Sequence, residues 1–317
     1  MKRTKLLVIL AVILAVLAAP VVIFCIRPPV LVITDAPFLV LYGKSHLRRQ
    51  QFAASLALFR RVKPVIIADG AGSDVVSIAI LGASRQPFCV LFPRDQAVAA
   101  LHFHEQFPET PVVLLKGLVS TPEILHPDGY LCVYGTDRPT DMYRAGLFAG
   151  ILGNIPAKPV KKVKKQDESA ANPPVSPSKA YVLWQDSYVQ TAERELFSQG
   201  VREKDPKSEV IFVNSSNDMP DMKAISCTVL TNAGVEYLGR NPRMPLILFS
   251  WLNPDFAAQE IIVLFDDSVW ALAAPATRMA AWQQAEGTIP SKPLIFKEKI
   301  AHNGIFRMLK KSAKKRP

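Results

Sequence analysis

The sequence lacks the short motifs by which common enzyme classes bind phosphate or position a nucleophile. It contains no glycine-rich phosphate loop, no Gly-x-Ser-x-Gly elbow and no Cys-x-x-Cys pair. His102 and His104 are two residues apart on a predicted helix, which directs their rings to different faces. We therefore expect no metal site, no cofactor and no enzymatic activity. A hydrolase or lyase on an α/β scaffold is the least supported alternative.

Cysteine is also scarce, with four in 317 residues. Outside the N-terminal segment, Cys89, Cys132 and Cys227 are odd in number and lack the close spacing of metal ligands, so no disulfide framework is predicted. Cys89 and Cys132 each lie within an apolar run that is typical of a strand. We interpret both as small buried apolar residues, with a Cys89–Cys132 bridge as the alternative.

No charged side chain occurs from Leu6 to Ile26, a run of 21 residues. A helix of that length spans the hydrocarbon core of a bilayer. Three basic residues precede it, so the positive-inside rule places the N-terminus in the cytoplasm and the body outside. Signal-peptide cleavage near Ala18-Ala19 and lipidation at Cys25 are two alternatives. The sequence thus predicts a single-pass protein of the bacterial cytoplasmic membrane with a periplasmic or extracytoplasmic body.

The formal net charge of +11 is concentrated in three segments. Fourteen basic residues lie within residues 2–5, 158–165 and 307–316, and without them the formal charge is −3. Such segments are typical of tails and linkers rather than of a nucleic-acid-binding face, so we predict no nucleic-acid partner. The C-terminal basic residues are either a solvated tail or a segment that lies along anionic lipid head groups.

From residue 30 onward, short apolar runs alternate with amphipathic segments, the pattern of a parallel sheet covered by helices. Strands are predicted near residues 30–33, 65–68, 88–92, 112–115, 130–134, 180–184, 210–213, 228–230, 246–249, 260–265 and 293–296. Helices are predicted between them, including 46–61, one near 219–224, one over 268–284 that Pro275 can kink, and one from an N-cap at Thr140 to Leu152. The predicted fold class is α/β, with two Rossmann-like lobes after one N-terminal transmembrane helix.

A segment rich in proline and lysine separates the two halves and cannot bury enough apolar surface to order itself. The expected boundaries are an anchor or signal segment at 1–27, a first α/β lobe at 28–155, a mobile insertion at 156–179, a second α/β lobe at 180–259, a return segment at 260–300 that can rejoin the first lobe, and a basic tail at 301–317.

The stretch from Asp141 to Gly150 places an acidic residue, aromatic residues and several small residues on one predicted helix. Together with the strand-like run 180–184 and the helix ending at Gln199-Gly200, it resembles the type I periplasmic solute-binding proteins, including the basic-membrane-protein and sugar-binding groups. The resemblance covers roughly residues 30–285 and implies two Rossmann-like lobes that close on a ligand. It also implies that the 141–150 helix closes the first lobe. Small residues on one helix face are equally what any tight helix-on-sheet contact requires.

In open α/β sheets, ligands bind beyond the carboxyl ends of the strands. Residues that follow strand-like runs are therefore the candidate ligand-binding residues: Asp35, Asp69, Asp137, Arg138, Trp184, Asp186, Asn214, Asn232, Trp251 and Asp266. Carboxylates accept paired hydrogen bonds from vicinal hydroxyls and Trp rings stack on sugars and bases, which favours a nucleoside or sugar. The alternative is that these residues are ordinary caps and turns.

We therefore expect a membrane-anchored, extracytoplasmic solute-binding protein that closes two lobes on a small polar ligand. Its partner would be an ABC-type permease or a membrane sensor, with membrane contact through residues 6–26. The alternative is a ligand-free bilobal envelope protein with a structural or interaction role, which the insertion and the basic tail favour.

Overall fold

The fold was analysed in a computed structural model, which describes residues 19–20, 22–34, 36–68, 70–116, 127–153, 179–184, 189–206, 209–213, 223–229, 246–249, 261–297, 300 and 303–317. Residues 156–178 of the predicted insertion and most of the predicted membrane segment lie outside these residues. Within the described ranges, no helix combines the length and the apolar character needed to cross a bilayer.

The elements in chain order are β1 (Val30–Thr34), α1 (Ala36–Leu58), β2 (Val62–Ile66), α2 (Ser73–Ala83), β3 (Cys89–Phe92), α3 (Ala97–Gln106), β4 (Val112–Leu115), β5 (Leu131–Thr136), α4 (Arg138–Gly153), β6 (Lys179–Trp184), α5 (Thr191–Lys204), β7 (Glu209–Val213), β8 (Lys223–Val229), β9 (Leu246–Phe249), β10 (Ile261–Asp266), α6 (Val269–Ala281), β11 (Glu286–Ile289), β12 (Lys292–Ile295) and α7 (Asn303–Ser312). The chain divides into two units: unit 1 comprises 1–136 and 268–289, and unit 2 comprises 137–267 and 290–317.

Unit 1 contains a six-stranded sheet in the order β11-β5-β4-β3-β1-β2, in which all pairs are parallel. Strands β1, β3 and β4 are buried along their whole length, as expected for near-continuous apolar runs covered on both faces. Helices α1 and α6 contribute to the core on one face of the sheet, and α2 and α3 to the core on the other. Unit 1 is therefore a doubly wound α/β body.

Helix α1 begins ten residues earlier than the predicted helix 46–61. Residues 36–58 form one helical stretch that is interrupted at Gly43, where φ is +72°. Only glycine adopts this backbone conformation without strain, so the chain can change direction there while staying helical on both sides. The apolar stretch after Asp35 is thus an additional helical segment.

Unit 2 repeats the arrangement with a sheet in the order β12-β10-β9-β8-β6-β7. All pairs are parallel except β12 with β10, which is antiparallel. Residues 223–224 begin strand β8, so the helix predicted near 219–224 was wrong at those two positions, and 219–222 lie outside the described residues. The predicted strand over 293–296 is confirmed as β12, whereas β11 was missed because Glu286-Gly287-Thr288 shows no apolar run.

The basic C-terminal segment is folded, which corrects the expectation of a solvated tail. Helix α7 places Leu309 and Ser312 in fully or nearly fully buried positions of unit 2. The side chain of Lys315 forms an ion pair with Glu203, and the Lys315 carbonyl accepts a hydrogen bond of 2.8 Å from Nε of Arg144. The tail therefore contributes to the stability of unit 2.

The division of the chain differs from the expected boundaries at helix α4. This helix was expected to close a first lobe ending at 155, but it belongs to unit 2, and unit 1 ends at Thr136. The return segment expected at 260–300 is split between the units, since 268–289 joins unit 1 and 290–317 joins unit 2. The chain consequently passes between the units three times.

The placement of α4 follows from its backbone contact with α5. A Cβ added at Gly146 would overlap the carbonyl oxygen of Phe197, and one at Gly200 would overlap the carbonyl oxygen of Tyr143. At Gly150, an added Cβ would lie 2.8 Å from the Val201 carbonyl oxygen. The small residues of the 141–150 stretch thus serve a close helix–helix contact.

The two cysteines expected to be buried are confirmed as such. Cys89 and Cys132 are both free and fully buried, and they lie on β3 and β5, which β4 separates. Strands are about 4.8 Å apart, so two cysteines separated by an intervening strand are too distant for a disulfide. Burial raises the pKa of the Cys89 thiol, which keeps it protonated and unreactive.

The helix contact predicts opposite effects for two glycine substitutions. Gly146→Ala should lower the free energy of unfolding by about 3 kcal/mol, because the new methyl group overlaps the α5 backbone. Gly82→Ala, at an exposed position of α2 with no atom near the new Cβ, should raise it by about 0.5–1 kcal/mol. Urea denaturation of both variants measures the difference. Equal effects of the two changes would contradict the close contact.

Candidate functional site

The order of strands defines one switch point in each sheet. In unit 1 the chain moves from β1 outward to β2 and then to β3 on the other side of β1, and in unit 2 β6 is likewise flanked by β7 and β8. Ligands in doubly wound sheets bind at the carboxyl ends of the strands beside such a point. The carboxyl edges near β1 and β3 and near β6 and β8 are therefore the candidate sites.

Most of the predicted ligand-binding residues lie outside the described residues. These are Asp35, Asp69, Asp186, Asn214, Asn232 and Trp251. Trp184 is the last residue of β6 and is paired in register with Val213 of β7 and Val229 of β8. It therefore occupies the carboxyl end of the strand at the switch point of unit 2, where the sequence placed it.

Asp137 acts as a helix cap. Its side-chain Oδ1 accepts the N–H of Thr140 at 3.2 Å, and its carbonyl accepts the N–H of Asp141 at 3.0 Å. This is the hydrogen-bonding pattern of an N-cap residue three positions before its partner. The N-cap of α4 is thus Asp137 rather than Thr140, and one oxygen of this candidate ligand is used by the fold.

Arg138 forms a partly buried, two-bond ion pair with Glu193 of α5. Its Nε and a terminal nitrogen lie 2.9 and 3.0 Å from the two carboxylate oxygens, and the two side chains are 14% and 8% exposed. Glu193 also accepts the N–H of Gln190 at 3.0 Å, which fixes the start of α5. Because both oxygens of Glu193 are engaged, the Arg138 guanidinium is held in one orientation.

Asp266, the last residue of β10, is completely buried and pairs in register with Lys292 of β12. The following residue, Asp267, is 2% exposed, and Ser268 caps α6 by accepting the N–H of Ala271. The expectation that Ser268 begins a helix is confirmed. Asp266 and Asp267 therefore bring two carboxyl groups into the interior at the end of β10.

In the sequence Asp141 stands out only as part of the helix motif, whereas in the structure it is a buried, hydrogen-bonded carboxyl group of unit 2. It is fully buried, and both of its oxygens accept the backbone N–H of Ser291, at 3.0 and 3.1 Å. Burial raises the pKa of Asp141 to about 7, against the lowering effects of the Ser291 hydrogen bonds and the Arg144 charge. The nearby charge of Asp267 raises this pKa further.

These contacts place Asp141 beside the unit 2 side of all three passages of the chain between the units. The chain enters unit 2 at the start of α4, leaves it after Asp267, and enters it again just before Ser291. With a pKa of about 7, loss of the Asp141 proton puts a negative charge into this buried position. The sequence signal for Asp141 was its place in the first turn of a predicted helix, with Arg144 one turn later.

A second polar cluster joins the first half of α4 to the C-terminal end of α5. Glu203 accepts hydrogen bonds from Tyr143 and Lys204 and pairs with Lys315. These donors, with the Lys315 contact as the largest contribution, lower the pKa of Glu203 to about 2. The cluster is structural, since its groups join α4, α5 and the C-terminal segment to each other.

In unit 1, the carboxyl end of β1 is closed by Trp270 of α6. Its indole N–H donates to Oγ1 of Thr34 at 2.9 Å, and both side chains are buried. Arg94 and Asp95 follow β3 in a 3₁₀ turn, and Lys116 follows β4 at the surface. Charged residues after β3 and β4 thus lie along the same edge of the sheet as the end of β1.

The two helix histidines have separate partners. His102 Nε2 lies 2.8 Å from Asp74, and His104 Nε2 lies 3.3 Å from Asp128. The i, i+2 spacing therefore separates the rings as predicted. Within the part of the chain that the structure describes, no group of three metal-binding side chains occurs.

Neither a protein-family model nor a curated protein sequence matches the chain. Among solved structures, a solute-binding protein of an ABC transporter system from Conexibacter woesei is similar, with a TM-score of 0.50, 10% sequence identity, and coverage of 90% of this chain and 95% of that chain. A transcriptional activator of the comK gene from Bacillus halodurans has a TM-score of 0.47 at 10% identity and covers 90% of this chain and 96% of that chain. The chain has the type I periplasmic solute-binding-protein-like fold that the sequence resemblance predicted.

The raised pKa of Asp141 predicts a distinctive pH dependence. The unfolded chain has an Asp pKa of about 3.9, so between about pH 4 and 7 the folded protein holds a proton that the unfolded chain has lost. The contribution of Asp141 to stability must therefore decrease as pH rises from 4 to 7. Asp141→Asn stays neutral and retains an oxygen acceptor for Ser291, so the variant should lose less stability between pH 5 and pH 8 than the wild type.

Thermal unfolding at the two pH values measures this difference. Asp128→Asn is the matched control, because backbone hydrogen bonds lower the pKa of Asp128 and its charge is constant over this range. An Asp141→Asn variant with the same pH dependence as the wild type would mean that Asp141 titrates normally.

Proposed function

We propose that this chain is an extracytoplasmic solute-binding protein that closes two α/β units on a small polar ligand. The observation that carries the proposal is the division into two doubly wound units between which the chain passes three times. Separate units joined by several chain segments can rotate against each other with small changes at the joining residues. A ligand that contacts both carboxyl edges would select the closed state.

The ligand class that the candidate residues favour is a sugar or nucleoside. The proposed ligand-binding residues are Asp35, Asp69, Trp184, Asp186, Asn214, Asn232, Trp251 and Asp266, each at or after the carboxyl end of a strand or strand-like run. Carboxylates and amides bind hydroxyl groups, and Trp rings stack on pyranose faces or bases. The similar protein from Conexibacter woesei is a solute-binding protein of an ABC transporter system, which supports a solute-binding role here.

Asp137 and Arg138 are proposed as supporting residues of that site. The Asp137 cap fixes the beginning of α4, and the Glu193 pair fixes the Arg138 guanidinium. Both residues lie directly after β5, so their positions set how the first chain passage leaves unit 1 for unit 2. In this proposal, the second carboxylate oxygen of Asp137 and the other terminal nitrogen of Arg138 contact the ligand.

We further propose that residues 6–26 anchor the protein in the cytoplasmic membrane with the two units outside. The uncharged run of 21 residues and the basic residues before it support this orientation. An anchored solute-binding protein would present its ligand to an ABC-type permease or a membrane sensor in the same bilayer.

One observation favours the ligand-free alternative. Asp137 and Arg138, two of the predicted ligand contacts, already have structural partners within unit 2. A bilobal envelope protein without a ligand would use such residues for the fold alone, and would keep the two units for contacts with other proteins.

A thermal-shift screen of the full chain in detergent against sugars, nucleosides and amino acids distinguishes the two functions. A ligand at 100 times its Kd stabilises the protein by about 2.7 kcal/mol, so we expect a rise in Tm with one chemical class. Trp184→Ala should abolish that rise, whereas Trp282→Ala, which removes an exposed Trp outside the strand ends, should keep it. A folded sample that shows no rise with any class would establish the ligand-free alternative.

A further inference from the structure

The N-terminal fifth of the chain is almost free of acidic residues. The first 68 residues contain one acidic side chain, Asp35, against ten Lys and Arg. Six of these basic residues lie between residues 36 and 68, the stretch that forms α1 and β2. The total charge of the folded body conceals this local excess, because the body as a whole is near neutral.

The outer face of α1 exposes large apolar side chains in a single stripe. Phe52, Leu56 and Phe59 are 71%, 68% and 40% exposed. Phe52 and Leu56 are four residues apart and therefore lie on the same side of α1, and Phe59 directly follows the last helical residue, Leu58. Arg48 and Arg49, one turn earlier, are also exposed and continue the stripe. We call this set of five residues the α1 stripe.

The residues that follow the uncharged N-terminal run contact the end of this stripe. The ring of Phe24 packs edge-on against the ring of Phe59, with centroids 5.9 Å apart. The guanidinium of Arg27 lies 5.5 Å from the centre of the same ring, and Arg60 donates a hydrogen bond of 3.3 Å to the carbonyl of Pro28. The segment leading out of residues 6–26 is therefore packed against unit 1 rather than joined to it by a free linker.

The charges beside this contact favour an anion. Arg27 and Arg60 are close enough that the Arg27 charge, after burial, lowers the pKa of Arg60. Two neighbouring guanidinium groups, in a stretch whose single carboxylate is Asp35, present N–H donors suited to a phosphate group. Arg side chains beside exposed Phe and Leu are the combination that contacts both the head groups and the apolar boundary of a bilayer.

A second exposed apolar patch in unit 1 has a different charge environment. Val75, Ile78 and Val98 are between 58% and 70% exposed on α2 and α3. The first turn of α2 carries Asp74, and Asp95 precedes α3. This patch has carboxylates at its border and provides a control of equal exposure.

We propose that the α1 stripe lies in the head-group layer of the membrane, with anionic phospholipid bound by Arg27, Arg48, Arg49 and Arg60. The proposal rests on the anchoring of residues 6–26 proposed above. The anchor brings unit 1 to the bilayer, and the packing of Phe24 on Phe59 turns the outer face of α1 toward it. Phe52 and Leu56 then enter the interface, which removes their apolar surface from water.

The test is a depth measurement on the full chain reconstituted in vesicles of phosphatidylglycerol and phosphatidylcholine. A single fluorescent label is attached at Leu56→Cys or at Ile78→Cys, in a background with Cys25→Ser and Cys227→Ser; the buried Cys89 and Cys132 are protected from labelling. Brominated lipid should quench the label at position 56 at least about twice as strongly as the label at 78.

The charge contribution is tested separately. Arg48→Gln with Arg49→Gln should reduce the quenching at position 56, whereas Lys310→Gln with Lys311→Gln, which removes the same charge from the exposed side of α7, should leave it unchanged. Replacing phosphatidylglycerol with phosphatidylcholine should have the same effect as the α1 substitutions, because the anionic head group is then absent.

Three outcomes would overturn the proposal, and they identify what failed. If the vesicles float and the protein does not float with them, while the thermal-shift response to solute is unchanged, both the membrane anchor and the α1 contact are refuted. Flotation with equal quenching at positions 56 and 78 would refute the α1 contact alone. Loss of quenching at 56 on dilution, with crosslinking between two chains through this position, would show that a second copy covers the stripe.

Discussion

The close packing of α4 on α5 is the contact on which the organisation of the chain depends. Both helices lack side chains where their backbones approach, at Gly146 and Gly200, and a methyl group at either position would overlap a carbonyl oxygen of the partner helix. Because α5 belongs with β6 and β7, this contact draws α4 into unit 2 immediately after β5 has completed its place in unit 1. The first passage between the units is fixed at residues 136–137 as a result.

The same contact explains why the strands could be predicted from sequence while the boundary between the units could not. Buried parallel strands are short continuous apolar runs, so β1, β3, β4 and β9 are visible without reference to any neighbour. The side on which a helix packs is decided by residues that meet only in three dimensions, and Gly146 and Gly200 are 54 positions apart. Strand β11 was missed for a related reason: its sequence is polar, and its pairing with β5 alone makes it a strand.

The candidate site shows the same division between local and tertiary information. Sequence position placed Trp184 and Asp266 correctly at the carboxyl ends of β6 and β10, because these ends follow directly from the apolar runs. It could not show that Asp137 caps α4 or that Arg138 pairs with Glu193, 55 residues away. Nor could it identify Asp141, whose partner Ser291 lies 150 residues later. The raised pKa of this carboxyl group comes from burial against a segment far away in the chain, which residue type alone does not reveal.

The proposed membrane contact and the proposed ligand site are compatible within unit 1, because the first uses a helix on one face of the sheet and the second uses the carboxyl ends of the strands. Helix α1 covers one face of the sheet, so with its outer side on the bilayer the strands run roughly parallel to the membrane plane. The carboxyl edge, which carries Arg94 and Lys116, then opens sideways into solution instead of toward the lipid. A solute bound at this edge would then lie close to the membrane surface, within reach of the proposed membrane-embedded partner. Under the two proposals, the basic residues concentrated before residue 68 would position unit 1 at the membrane, and residues at the ends of the strands would bind the ligand.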